Sequence, residues 1–337
     1  MTESLVHPRY LPFTIDQLSQ HFSPVRGSES QDADRHMRYY LDSAIRGRAH
    51  DDQERAGKPF TPADIRQGRQ VEKDERFWIV CALMGLYHAN EGRDRVRLFT
   101  ELLERAGLPS VPGFGSWQDA LAGELRLYFE VNLPSPPSYR LWLRDHLDER
   151  VLIPYVREAA AAAGARTEGS TRVDAMLIAV DSGVAVAFEA KVLSDASSMV
   201  TYDVLRNQIA RNIDVLLDTN PQLLPPLKQR KPDRSFLVLL TPEVFRGNGE
   251  EDFNGGRLYS WLMRAYRDPA DAMLSKHLPH RESSELAGIA ERLGWATWED
   301  CKAILQTSCP WLVPSDPTPQ KWTRARTGRA VTAVETS

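Results

Sequence analysis

The spacing of apolar positions divides the chain. "RFWIVCALMGLYHA" (76–89) is apolar on most faces, which predicts a buried helix. "RVRLFTELLERAG" (95–107) is amphipathic and closes on glycine, a usual helix stop. "SWQDALAGELRLYFEV" (116–131) opens on serine, a good N-cap, and predicts a third helix. The charged stretches before these, "GSESQDADRHMRYY" and "RAHDDQERAGKPFTPAD", read as exposed. Residues 1–135 are therefore expected to be a helical N-terminal region. It ends at "NLPSPPSY" (132–139), where three prolines in eight residues mark a linker.

Past the linker the period changes. A long helix is predicted over 139–164, with Pro154 starting a fresh turn or a bend. "VDAMLIAVDSGVAVAFEAK" (173–191) then reads as a hairpin, its strands 173–180 and 184–193 joined by an Asp-Ser-Gly turn. A helix over 200–218, a proline-rich loop and an apolar strand over 235–243 follow. Helix, strand, strand, helix, strand is the order of a mixed α/β core, placed at 136–250. Residues 251–315 read as a C-terminal helical extension that holds Trp261, Trp295, Trp298 and Trp311. Residues 316–337 read as a loose polar tail.

Composition narrows the function classes. A formal net charge of −4 gives no global basic field, although a local basic groove remains compatible with it. Three cysteines without a CxxC pair favour a reducing cytoplasm over a disulfide framework. The start, "MTESLVHPRYLPF", has no signal-peptide pattern, and no apolar run is long enough to span a bilayer. A cytoplasmic protein with no membrane contact is the expectation.

The hairpin holds the candidate chemistry. Side chains alternate along a strand, so Val184, Val186, Phe188, Ala190 and Val192 share a core face. Ala185, Ala187, Glu189 and Lys191 share the other, where the small alanines are expected to leave room for the two charges to project. A turn near Ser182 brings Asp174 to the same end as Glu189. Two carboxylates beside an ammonium suit a hard divalent cation. The bland alternative is a solvated Glu–Lys pair, worth little.

Asp174, followed fifteen positions later by Glu189-Ala190-Lys191, resembles the PD-(D/E)xK nuclease superfamily, with Val173 in place of the proline of that name. The resemblance covers about residues 141–243 and implies a restriction-endonuclease-like mixed-sheet core flanked by helices. It implies that Asp174, Glu189 and the main-chain carbonyl of Ala190 bind Mg²⁺ or Mn²⁺, with Lys191 catalytic. Many members add a glutamine from the following helix, here Gln208, with Asn212 four residues on. Many also add a glutamate from the preceding helix, for which Glu149 is the first choice and Glu158 the second. Clustered cations supply phosphate affinity, and Lys228, Arg230, Lys231, Arg234 and Arg211 are the candidates to grip nucleic acid.

The implied protein is a metal-dependent endonuclease, acting on DNA rather than RNA, in restriction or phage defence. One such constellation per chain implies a homodimer for double-strand cleavage, and the setting implies a defence-system partner protein. The rival is a catalytically inactive nuclease-fold protein used for nucleic-acid binding or assembly. Two weaker patterns remain. His277, His280, Cys301 and Cys309 contain zinc-ligand types at irregular spacing, and "IAERLGWATWED" (289–300) resembles the start of a helix-turn-helix.

Overall fold

In the computed structural model the hairpin forms as the alternation predicts, as β4 (Thr171–Ala179) and β5 (Val184–Ala190). The structure describes residues 5–22, 30–164, 167–200, 202–219, 223–246, 257–268 and 272–312. The tail assigned to 316–337 lies outside the described residues.

Ahead of the hairpin in the chain come β1 (Leu5–His7), β2 (Leu11–Thr14) and β3 (Leu125–Leu133); β6 (Ser235–Thr241) and β7 (Leu293–Thr297) follow it. β1 and β2 pair with each other, and β3-β4-β5-β6-β7 form one five-stranded mixed sheet. β3/β4 and β4/β5 are antiparallel, whereas β5/β6 and β6/β7 are parallel. The parallel steps require crossovers. The helices Gln208–Leu217 and Leu258–Arg267 lie in those two connections.

Several expectations fail here. Residues 116–131 are not one helix: Ser116 does cap a helix, but it is only Trp117–Ala120, and the rest is β3. Residues 257–312 are not all helical, because β7 lies among them. A boundary at 135 and another at 250 would each detach a strand from a single sheet, since β3 pairs with β4 and β7 with β6. The predicted helix over 139–164 is broken into Pro137–Asp145, Leu147–Arg150 and Pro154–Ala163, with Pro154 at the start of the last piece. In the N-terminal region the helix Ser30–Arg55 is not wholly exposed, because Tyr40 and Ala44 face the core.

Both faces of the sheet are covered. The first face (Val184, Val186, Phe188, Ala190) packs against the helices Glu75–His88 and Arg95–Arg105 and against Trp298. The second (Ala185, Ala187, Leu237, Leu239) packs against Ile209, Ala210 and Ile213, and against Tyr259, Leu262 and Met263. The alanines do not leave open space. They let the Gln208–Leu217 helix come close to the sheet, and the charges on that face are buried.

Candidate metal and catalytic site

β5 carries Glu189 to its carboxyl end, where parallel strands commonly present ligand-binding residues. The pairing of β4 with β5 runs from Ala179↔Val184 to Ala175↔Phe188, which puts Asp174 next in line opposite Glu189. Asp174 and Glu189 thus lie at the same end of the hairpin, as the turn position predicts.

Glu189 is 1% exposed and Lys191 4% exposed. The Lys191 ammonium donates to Glu189 Oε1 at 2.6 Å, and Gln208 Nε2 donates to the same oxygen at 2.6 Å. Asn212 Nδ2 donates to Glu189 Oε2 at 2.8 Å. Gln208 and Asn212 reach one carboxylate because residues four apart share a helix face. Gln208 opens the helix, so the carboxylate lies beside the helix's first turn. Asn207 caps that helix, its side chain accepting from Ala210 N at 3.0 Å.

Asp174 keeps some surface as a residue, but its carboxyl group is enclosed and accepts from the Ala190 amide at 2.7 Å. Burial, and then the charge of Glu189, push this carboxyl well above the usual carboxylate range, against the pull of Lys191 and the Ala190 N–H. For Lys191, burial pulls the ammonium down, but the charges of Glu189, Asp174 and Glu75 outweigh it and hold the group above its ordinary value.

The strand beside Asp174 is irregular. Glu130 has φ 53°, a left-handed conformation that costs energy in a residue with a Cβ. The β3–β4 register passes from Phe129↔Ala175 to Val131↔Val173 across it. Ala175 packs on the first face and Val173 on the second, so the pleat breaks where Glu130 stands opposite Asp174. Glu130 is itself buried, its carboxylate 3.6 Å from Arg172 and 3.3 Å from the Tyr40 hydroxyl. Burial raises its pKa, with Arg172 opposing.

Glu130 and Glu75 are the acids that sequence reasoning missed. Glu75 starts the buried Glu75–His88 helix, accepts from Ser194 Oγ at 2.7 Å and acts electrostatically on Lys191. Glu130 carries the same signal as Glu189, one acid among apolar neighbours, but the serine cap at 116 places it inside the predicted helix. Glu149 and Glu158 are exposed, on short helices whose buried residues form a separate cluster with Tyr139 and Leu143. Among the described residues no hydrogen bond or ion pair links either glutamate to Asp174 or Glu189.

The basic loop stands elsewhere. Lys231 N donates to Gly183 O and Arg234 Nη1 to Ser182 O, each at 2.8 Å, which fixes the loop beside the hairpin turn. From that turn to Glu189 is most of the length of β5, about 16 Å at about 3.3 Å per residue. Arg230 is 5% exposed and caps the end of the Gln208–Leu217 helix, donating to Leu216 O at 2.7 Å, to Val215 O at 2.8 Å and to Asp218 O. Arg211 donates to Gly169 O and Ser170 O, both at 2.9 Å, and pairs with Glu168. Lys228 and Lys231 are exposed. Arg230 is thus buried as a cap on that helix end. Arg230→Ala is expected to lower stability by about 1.5–3 kcal/mol, the worth of a charged hydrogen-bonded group, and to leave nucleic-acid affinity unchanged. Urea denaturation and a binding titration check this together; lost affinity at intact stability would return Arg230 to the nucleic-acid site.

The two weaker patterns dissolve. Cys301 and Cys309 are buried free thiols, His277 meets Asn207, and His280 pairs with Asp214. The supposed helix-turn-helix is a short turn, β7 and the helix Trp298–Ile304, with Trp295 and Trp298 buried. No helix among the described residues is long and apolar enough to cross a membrane.

The donors suit a hard cation. They are all oxygens, Asp174 is an acid whose buried charge has too little compensation, and Asn212 Oδ1 is buried with no hydrogen-bond partner. Compared with protein-family profiles, curated proteins and solved structures, the chain finds no match.

Proposed function

We propose that the protein is a metal-dependent nuclease of the PD-(D/E)xK type, hydrolysing phosphodiester bonds in DNA. The observation that supports this most is the convergence of Asp174, Lys191 and Gln208 on the buried carboxylate of Glu189. The strand order, antiparallel, antiparallel, then parallel across a helix, suits the same reading.

In this reading Asp174, Glu189 and the Ala190 carbonyl hold Mg²⁺ or Mn²⁺, which would polarise the phosphate and make bound water more acidic. Lys191 orients the attacking water and offsets charge growing on the phosphoryl oxygens. Gln208 and Asn212 hold Glu189 in one orientation. Gln208→Ala is expected to cut turnover at least tenfold, by order of magnitude for a lost positioning group, with Asn212→Ala doing less. Single-turnover kinetics on plasmid measure it, and equal negligible effects would remove Gln208 from the site.

Cleavage of both strands would most simply use a two-fold homodimer, with a defence-system protein as a further partner. A second reading, a nuclease-fold module that binds or assembles without cutting, is favoured by the closed Lys191–Glu189 pair. Purified protein with supercoiled plasmid, single-stranded DNA or RNA, with Mg²⁺, Mn²⁺ or EDTA, separates the two. Metal-dependent nicking or linearisation supports the nuclease, and inertness in every arm supports the module.

A further inference from the structure

We propose that His50, Asp51 and Glu54 form a second metal site, for a divalent transition ion of the Zn²⁺ class. All three stand on the Ser30–Arg55 helix, and one ligand atom from each lies within 4.8 Å of the others. Among the described residues no other three such side chains meet in this way. The cluster shares no residue with the Asp174–Glu189 pair, so the proposal does not depend on the nuclease reading.

An acidic cluster alone says little, but two buried imidazoles add to it. His50 is 9% exposed, its ring stacks on Phe60 at 4.4 Å between centroids, and its Nε2 is buried without a hydrogen-bond partner. A buried polar atom left unpaired costs free energy that a bound ion would recover. His7 comes from a different element, β1, and is 1% exposed. Its Nδ1 accepts from the amides of Arg9 and Tyr10 at 3.2 and 3.3 Å, so its hydrogen sits on Nε2. That nitrogen also has no hydrogen-bond partner, and Asp51 Oδ2 stands 3.8 Å away.

The close approach depends on Gly47, where an added Cβ would come within 2.6 Å of His7 Nε2. His7 is therefore a positioning residue, its Nε2 set between the Gly47 backbone and the Asp51 carboxylate, as the outer neighbours of metal-bound groups commonly are.

The chemistry selects the ion. One imidazole with two carboxylates is too soft a set for Mg²⁺ or Ca²⁺ and too hard for Cu⁺. Ligands about 2.0–2.1 Å from a tetrahedral Zn²⁺ lie about 3.4 Å apart, so the three, within 4.8 Å of one another, must close by up to about 1.4 Å. The exposed Glu54 side chain can make that movement, and it leaves a solvent-facing path of entry.

The test uses the full chain, stripped with EDTA and titrated with Co²⁺ alone under visible absorption. The expected result is the d–d bands of a four- or five-coordinate centre, retained in Asp174→Asn. His50→Ala and Glu54→Gln should each weaken Co²⁺ binding at least about tenfold, the lower end of what losing even a supporting neighbour costs. Glu54 is exposed, so Glu54→Gln keeps the fold, and circular dichroism verifies it. Absent bands in the wild type, or wild-type affinity in both variants, would overturn the proposal.

Discussion

Lys191→Ala is expected to destabilise the protein by about 3–5 kcal/mol, the range for breaking a buried ion pair from one side. The reason is burial. Glu189 is 1% exposed, and without the ammonium its charge would keep only the amide donors of Gln208 and Asn212. An unpaired ion in a dry interior is far costlier than an unpaired ion in water. The double change Glu189→Gln/Lys191→Met should recover most of the loss, since no ion then remains buried. Urea denaturation of the single and double variants decides the matter. A Lys191→Ala protein within about 1 kcal/mol of wild type, the worth of an exposed pair, would mean that the charges face solvent. Activity alone cannot report on Lys191, because a variant this unstable would lose cleavage for two reasons at once.

Asp174→Asn is expected to act in the opposite direction. It should raise the melting temperature of the metal-free protein at neutral pH and erase the rise that Mn²⁺ gives the wild type. The folded-state pKa of Asp174 lies above the unfolded value of about 3.9. The folded state therefore binds this proton more tightly. Its contribution to stability is fully present below about pH 4 and is lost as pH rises through the folded pKa. Asparagine cannot ionise, yet its carbonyl oxygen can still accept from the Ala190 amide. In the wild type a cation relieves the same repulsion, and Mn²⁺ at 100 times its Kd would add about 2.7 kcal/mol. That gain should shrink in acid, where the carboxylate takes up its proton. Melting curves across pH, with and without Mn²⁺ and in a Glu54→Gln background that silences the His50 cluster, test both halves. No Mn²⁺ response in the parent protein, or an equal one in Asp174→Asn, would remove the cation from Asp174.

The hairpin was legible because its turn, its alternation and its two misplaced charges all agree. β3 was not, although "LRLYFEVNL" carries the strand period, with Leu125, Leu127, Phe129, Val131 and Leu133 alternating with Arg126, Tyr128, Glu130 and Asn132, because a helix start immediately ahead of it claims the whole stretch. The serine cap just before it was real, but it belongs to a helix of one turn. β7 is five residues long with helical turns on both sides, too short to stand out by period. The alanines of β5 were the subtler error. A small side chain can leave a gap or admit a neighbour, and only tertiary packing decides between these; here Ile209, Ala210 and Ile213 fill the space. The same packing turned Arg230 inward, where sequence alone saw one cation among several.

Gln208 is held to the loop before it by two reciprocal bonds, its amide donating to Ser197 O at 3.0 Å and its Oε1 accepting from Ser197 N at 3.3 Å. Gln208 Nε2 also donates to Glu189 Oε1, so one side chain joins the strand's carboxylate to the backbone of a loop that the sheet does not contain. The orientation of Glu189 therefore depends on where that loop rests.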